Sequence, residues 1–192
     1  AKDFDARLLL NLDYQVPMTL SALLTETVGE DIRFDRLLDL GCGTGLSGVD
    51  FNEFTDDMHG VDLSEKMLEK AEARKIYTEL TADSLHGYLD RDGPLFDAFV
   101  AADVFVYVGK LEQVFSGVAA RAMQGAHFLF SVESTDSEEL ELRRTGRYAH
   151  PDAYIRELAA ANGFTVVRRE TKPLRLDYRE PVMGDYYLMV KD

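Results

Sequence analysis

Leu37-Leu38-Asp39-Leu40-Gly41-Cys42-Gly43-Thr44-Gly45-Leu46 is the stretch on which the reading of the whole chain turns. Leucines interrupted by a single aspartate have the character of a buried parallel strand reaching its end. Glycines at 41, 43 and 45 then break it. A residue without a Cβ lets the backbone turn sharply and lets a ligand lie directly against the main chain. A strand, a glycine-rich turn and a helix in succession is how α/β proteins hold nucleotide-like ligands. A turn that needs glycine for shape alone is the alternative. Glycine at every second position, with an acid just ahead, asks for more than shape.

The spacing Gly41-x-Gly43-x-Gly45 differs from the Gly-x-Gly-x-x-Gly of dinucleotide sites, in which Asp39 would also have no required place. A carboxylate at that strand end can accept hydrogen bonds relayed from a charged amino group. Val61-Asp62-Leu63 supplies a second acid at the next strand end, where it can take both hydroxyls of a ribose. Ala82-Asp83-Ser84 supplies a third, suited to an adenine amino group.

These segments resemble the class I S-adenosylmethionine-dependent methyltransferases. Leu38-Asp39-Leu40-Gly41-Cys42-Gly43-Thr44-Gly45 is similar to their first motif, and Gly60-Val61-Asp62-Leu63-Ser64-Glu65-Lys66-Met67-Leu68 to their second. The resemblance implies S-adenosyl-L-methionine as cofactor and S-adenosyl-L-homocysteine as product. It implies a cofactor site built from Asp39, Gly41, Cys42, Gly43, Gly45, Asp62, Leu63, Met67, Asp83, Ser84 and Asp103, with Tyr14 laid over it by an amino-terminal lid. Met67 and Tyr14 can equally be ordinary packing residues.

A narrower likeness is to predicted methyltransferases often fused behind tetratricopeptide repeats. It rests on Phe4-Asp5, Leu12-Asp13-Tyr14-Gln15-Val16-Pro17 and Arg147-Tyr148-Ala149-His150. No internal repeat is present in this chain.

A length of 192 residues suits one compact domain with its own core. The 21 basic and 35 acidic residues give a net charge of −14, a field that repels phosphate backbones and anionic membranes. The one dense basic cluster, Arg143, Arg144 and Arg147, lacks the interleaved aromatics of a strand-binding groove. Nucleic acid is therefore disfavoured as methyl acceptor, and a small molecule or a protein is expected. Cys42 is the sole cysteine, which rules out an internal disulfide and a thiolate zinc site and fits a cytoplasmic protein. No metal site is expected. No apolar run reaches the ~18 residues of a membrane span, and the start has no signal-peptide character. The chain begins at Ala1 without an initiator Met, as either a trimmed chain or the tail of a longer protein would. Nothing in the pattern speaks to oligomeric state.

Along the chain, residues 1–30 read as an amino-terminal helical lid and 31–192 as the methyltransferase domain, together one compact unit. Strands are expected at Arg36–Leu40, Met58–Asp62, Glu79–Ala82, Phe96–Ala102 and His127–Val132. Helices are expected from Pro17 to Val28, from Leu46 to Phe54, over Glu65–Arg74 and Leu111–Met123, and from Pro151 to Gly163. Phe164–Arg169 and Asp185–Val190 read as a final antiparallel pair joined by a charged connection. Strands alternating with helices make a doubly wound α/β sheet. By resemblance it is Rossmann-like and seven-stranded, mostly parallel with an antiparallel last strand, in the order 3-2-1-4-5-7-6.

Methyl transfer needs acceptor and methyl held in line and shielded from water, with a base where the acceptor must lose a proton. The carboxyl end of the fourth strand should border that reaction, which makes Asp103, Phe105 and Tyr107 local candidates. His150 is the best-placed titrating group on the long polar stretch Glu133–Arg147 and its continuation. Asp103, Tyr107 and His150 are the expected catalytic residues, and Arg147 and Tyr148 the expected acceptor contacts. Asp103 as a turn cap, Phe105 and Tyr107 as packing and His150 as a helix lead-in are the competing explanations. Amino-directed members of the family it resembles carry Asn/Asp-Pro-Pro-Tyr/Phe after the fourth strand; Ala102-Asp103-Val104-Phe105 stands there instead, and the resemblance thus implies an acceptor other than adenine N6 or glutamine. A non-catalytic module that binds the cofactor and serves a partner, and a NAD-dependent oxidoreductase, are the rival functions.

Overall fold

The computed structural model describes residues 15–177 and 180–192. Its elements run α1 (Val16–Val28), β1 (Leu37–Leu40), α2 (Leu46–Phe51, continued by a 3₁₀ turn at Asn52–Phe54), β2 (Met58–Asp62), α3 (Glu65–Glu72), β3 (Glu79–Ala82) and α4 (Leu85–Asp90). They continue with β4 (Phe96–Ala101), a 3₁₀ turn (Phe105–Tyr107), α5 (Glu112–Arg121), β5 (Ala122–Glu133), β6 (Glu141–Leu142), β7 (Tyr148–Ala149), α6 (Asp152–Ala161), β8 (Phe164–Asp177) and β9 (Glu180–Lys191). Tyr14, the expected lid aromatic, lies outside the described residues.

The main sheet has the order β3-β2-β1-β4-β5-β9-β8, parallel from β3 to β5, with β9 antiparallel to both its neighbours. This is the implied doubly wound order, the late pair β8 and β9 being its sixth and seventh strands. The hairpin β6–β7 is an addition. It joins the carboxyl end of β5 through Glu133 and Ala149, beyond the last pair that β5 makes with β4.

Alternation along the strands divides the core between the two faces of the sheet. Leu38, Leu40, Phe99, Phe128, Phe130 and Tyr187 face one way and pack with Val114, Phe115 and Val118 of α5 and Ile155 and Leu158 of α6. The rings of Phe99, Phe105, Phe115, Phe128 and Phe130 meet at 4.7–6.2 Å between centroids, mostly edge to face or tilted. Leu37, Ala98, Val100, Leu129, Tyr186 and Leu188 face the other way, against Val16, Leu20, Leu23 and Leu24 of α1 and Phe51 of α2. So α1 contributes to a core shared with the sheet, and the boundary expected near residue 30 falls within one packed layer.

Four expectations change, one being that β5 begins at Ala122, where the helix was expected to continue to Met123. The stretch Glu133–Arg147 is not a plain loop: it ends β5 and forms β6 and the turn into β7. Strands of two residues are too short to leave a periodic trace. The charged connection expected between Arg169 and Asp185 is itself strand, because β8 and β9 stay paired out to Asp177 and Glu180. Their far end overhangs the sheet past Glu133 and Gly184, the last β5–β9 pair. Finally α4 was not expected; Ser84 starts it, its Oγ accepting the Gly87 N–H at 2.9 Å.

The turn after β1 owes its shape to close approach. Gly41 has φ 70°, and a Cβ there would lie 2.7 Å from a Val104 methyl in the turn after β4. The two turns nearest the centre of the sheet therefore touch through backbone on one side. Gly41→Ala should cost about 1–3 kcal/mol of stability in urea unfolding, from strain plus overpacking. Gly146→Ala, at φ 76° with open space around it, should cost less. Adding Val104→Ala to Gly41→Ala should recover part of the loss, and a purely additive pair would show that the approach carries no energy.

Candidate functional site

The carboxyl ends of β1 to β4 surround a cleft of about 500 Å³. Gly41, Cys42, Gly43, Thr44, Leu46 and Ser47 line it from the glycine turn and α2, and Asp62, Leu63, Ser64 and Met67 from the next strand end. Asp83 and Leu85 close one side; Ala102, Asp103, Val104, Tyr107 and Val108 close the other. Gly41, Leu63, Asp83 and Ala102 reach the cleft by the same device, each being the residue that follows the end of a parallel strand.

Asp39 lies beneath the glycine turn, 1% exposed. Its Oδ2 accepts hydrogen bonds from Ser47 at 2.6 Å and Tyr77 at 2.7 Å, while its Oδ1 is buried with no partner. Burial pushes its pKa up from 3.8 to about 6 against the pull of those two hydroxyls. Asp62 holds the turn in place: its Oδ2 accepts the Gly43 N–H at 3.0 Å and its Oδ1 the Ser64 N–H at 2.8 Å. Gly43 has φ 55° and nothing but the Gly41 carbonyl, 4.0 Å away, near the place of a Cβ, so it leaves a bare floor. Gly45, at φ 81°, starts α2 against Tyr77 and Arg74. The Cys42 thiol is buried, and burial holds it protonated.

Leu63 is 77% exposed at the rim. Asp83 is already engaged, Oδ1 accepting the Ser84 N–H at 2.7 Å and Oδ2 paired with Arg91. Ser84 lines a shallower depression with Leu63, Glu65 and Lys66, and its hydroxyl is used as the α4 cap.

On the far side, Asp103 takes φ 56°, a left-handed conformation that aspartate tolerates better than most residues. Its N–H donates to the Ser131 Oγ at 2.9 Å, and its Oδ1 accepts from Arg175 Nη1 at 3.0 Å. Burial pushes its pKa up to about 6, with Arg175 and Arg147 pulling it down and Glu133 pushing it up. Tyr107 is 65% exposed, with the Arg147 guanidinium 5.9 Å from its ring centre. Arg147 has its Nε buried without a hydrogen-bond partner.

The remaining expected residues are placed differently. His150 is fully buried, and its Nε2 lies 3.0 Å from the Val108 carbonyl and 2.9 Å from that of Gly109. Two acceptors there require Nε2 to carry the proton, and burial pushes the ring's pKa down. His150 thus staples the turn after Tyr107 to β7 and does not line the cleft, so the expectation of a titrating base there is corrected. Phe105 is core. Tyr148 packs so closely on Gly109 that a Cβ there would meet its ring at 3.0 Å. Of the basic cluster, Arg143 is bound to Glu141, Glu133 and the Ser134 carbonyl, and Arg144 is exposed.

Ser47, Tyr77, Ser131, Glu133 and Arg175 act on the site and escaped the sequence reading. All but Ser47 lie far along the chain from the carboxylates they serve. Ser47, at the start of α2, is only eight positions from Asp39 across the glycine turn.

Residues 38–128 match a family model described as a methyltransferase domain. The 18S rRNA (guanine-N(7))-methyltransferase of Bos taurus is 28% identical over 148 residues, 70% of this chain and 51% of that protein. The ubiquinone biosynthesis O-methyltransferase of Alkalilimnicola ehrlichii is 28% identical over 103 residues, 50% of this chain and 40% of that protein. The chain thus spans about half the length, or less, of the curated relatives it matches. Among solved structures, the 1,6-didemethyltoxoflavin-N1-methyltransferase of Burkholderia thailandensis, with its substrate and S-adenosylhomocysteine bound, superposes with a TM-score of 0.74. It shares 20% identity over 93% of this chain and 79% of that one, a likeness of fold.

The raised pKa of Asp39 carries a stability prediction. Between 3.8 and about 6 the folded chain holds a proton on Asp39 that the unfolded chain has lost. Stability therefore falls as pH rises through that window and levels off above it. Asp39→Asn should remove about 1–3 kcal/mol of that fall in urea titrations without ligand. An unchanged slope would show that Asp39 titrates at its ordinary value.

Proposed function

We propose that the chain, whose residues 38–128 match a methyltransferase domain, is a class I S-adenosylmethionine-dependent methyltransferase and that it methylates a small anionic acceptor held between the Phe105–Tyr107 turn and the β6–β7 hairpin. The observation that carries the cofactor side is the ring of carboxylates around the cleft, with a buried Asp39 Oδ1 that has no partner. An orphaned buried acceptor is costly, and a donor arriving with a ligand would satisfy it. The residues fit S-adenosylmethionine. Asp39 would receive its ammonium through a bridging donor, Asp62 its ribose hydroxyls, and Asp83 its adenine amino group, sharing with Arg91. Leu63, Met67 and Leu85 offer apolar cover for the base, and Gly43 leaves room for the chain to lie on the backbone. Bound there, S-adenosylmethionine supplies an activated methyl group on a sulfonium.

What the protein adds is placement and a proton acceptor. Val104, Val108 and Tyr107 wall off water near the end of β4. The Asp103 carboxylate borders the same space, and a pKa of about 6 leaves it ionised at neutral pH yet able to take a proton from a hydroxyl or amine.

Arg147 supports an anionic acceptor. Among the described residues no carboxylate stands within ion-pair distance of it, whereas Arg143 is tied to Glu141. An arginine over an exposed tyrosine ring presents a charge and an aromatic face together, which suits a carboxylate or phosphate on a flat body. The rRNA and ubiquinone-precursor relatives bracket large and small acceptors. A net charge of −14 and the neutralised Arg143 favour the small one.

Calorimetry should show binding of S-adenosylhomocysteine and S-adenosylmethionine and none of NAD. Asp62→Ala should weaken that binding by about 1–3 kcal/mol. Affinity for S-adenosylmethionine should rise with pH toward and past about 6, as Asp39 ionises. Binding of NAD alone would overturn the reading.

The acceptor is tested by production of S-adenosylhomocysteine from a panel of hydroxylated aromatic acids, their uncharged esters, and amines. Turnover of the acids is expected. Arg147→Gln should raise KM for them by about 10-fold or more with cofactor affinity retained. Turnover confined to cationic amines would overturn the anionic assignment. Cofactor binding without turnover of any compound would favour a non-catalytic module.

A further inference from the structure

Arg175 is a long way from the glycine turn in sequence, on the overhanging part of β8, yet its guanidinium reaches the wall of the cleft. Nη1 donates to Asp103 Oδ1 at 3.0 Å and Nη2 to Glu133 Oε2 at 2.7 Å. The side chains of Arg175 and Glu133 are 4% and 8% exposed, and Arg175 Nε has no partner. A buried pair of this kind is a poor stabiliser, since desolvation offsets most of the attraction and apolar residues of equal volume often do better. The orphaned Nε makes it poorer still. What the arrangement does achieve is geometric: Asp103 is fixed at its backbone by the Ser131 hydroxyl and at one carboxylate oxygen by the Arg175 fork. Its Oδ2 accepts nothing among the described residues, and Asp103 lines the cleft.

We infer that Arg175 is a positioning residue for the reaction: it holds Oδ1 of Asp103 so that Oδ2 is the atom offered to the acceptor, and Glu133 holds Arg175 in turn. The inference rests on the reading of Asp103 as proton acceptor. In that step the O–H or N–H bond of the acceptor breaks, its electron pair stays on the acceptor, and the proton forms a bond to Oδ2.

The groups facing Asp103 come from four elements. Arg175 on β8 and Arg147 before β7 favour its charged form, and Glu133 on β5 opposes it. Tyr186 on β9 is kept protonated by burial, with the Asp103 charge adding to the effect. Because Arg175 and Glu133 have opposite signs, removing each should move the Asp103 titration in opposite directions. Simple loosening of the wall would not.

The test follows side-chain carboxyl carbon-13 signals against pH in the full chain saturated with S-adenosylhomocysteine, with the Asp103 signal assigned by its loss in Asp103→Asn. Arg175→Met should move the Asp103 midpoint alkaline by about 1–3 pH units. Glu133→Gln should move it toward acid, and Arg175→Lys should fall between wild type and Arg175→Met. If Arg175→Met fails to fold, the Lys and Gln variants decide by the same opposition of sign. An unmoved midpoint, or shifts in one direction for both charge changes, overturns the inference. Failure of the wild-type chain to bind S-adenosylhomocysteine would instead overturn the cofactor reading, and the titration without ligand would still report on Arg175.

Discussion

Carboxylates converge at one end of a parallel sheet in this protein, and the structure there is organised by how each is kept from repelling the rest. Asp39 is sunk beneath the turn and bound by two hydroxyls; Asp62 is spent on two backbone amides. Asp83 has an amide and Arg91, and Asp103 has Arg175. Like charges in a cleft raise one another's pKa and destabilise the fold. Separate partners for each make the cluster tolerable. The result is an opening rich in acceptor oxygens and poor in donors, which is the complement of a ligand carrying an ammonium, vicinal hydroxyls and an exocyclic amine.

The partners explain features that otherwise look incidental. Tyr77 sits between α3 and β3, where its hydroxyl reaches Asp39 and its ring supports Gly45 and Gly48 at the start of α2. The overhang of β8 and β9 past the sheet buries Leu174 among the α1 residues while delivering Arg175 to Asp103. Ser131, fully buried on the otherwise apolar β5, spends its hydroxyl on the strained backbone of Asp103. Each of these elements holds the packing of the fold and the chemistry of the cleft at once.

The carboxylates themselves were legible because each is signalled locally, by an acid where an apolar strand gives way to a turn. Asp39, Asp62 and Asp83 could be named from single segments, as could the glycine turn after Asp39 and the alternation of strands with helices, whereas the order of the strands in the sheet came from the family resemblance alone. Their partners could not. Arg175 reaches Asp103 across 72 positions, and Tyr77 reaches Asp39 across 38. No periodicity links residues so far apart without the fold. His150 failed for a related reason: composition showed a titrating group near the expected site, but burial and two carbonyl acceptors decide what it does. The β6–β7 hairpin was hidden because two-residue strands carry no alternation, and the length of β8 because charges on an edge strand read as loop.

Net charge and local charge act on different scales in this chain. The net charge of −14 is spread over the whole surface, and at physiological salt its reach is cut to about a Debye length, roughly 8 Å. A guanidinium in direct contact with its ligand is not screened in that way, and a partly buried one still less. The distant charges therefore weigh chiefly on encounter, while Arg147 and Arg175 set the local field beside Asp103. Within the cleft the same distinction separates two regions. The acids of β1 to β3 lie where a cation would be held, and the arginines of the hairpin and β8 lie beyond Asp103. Asp103 stands at the border, its pKa pushed up to about 6 by burial and drawn back by the arginines beside it, so it shares with Asp39 a midpoint not far below neutral pH.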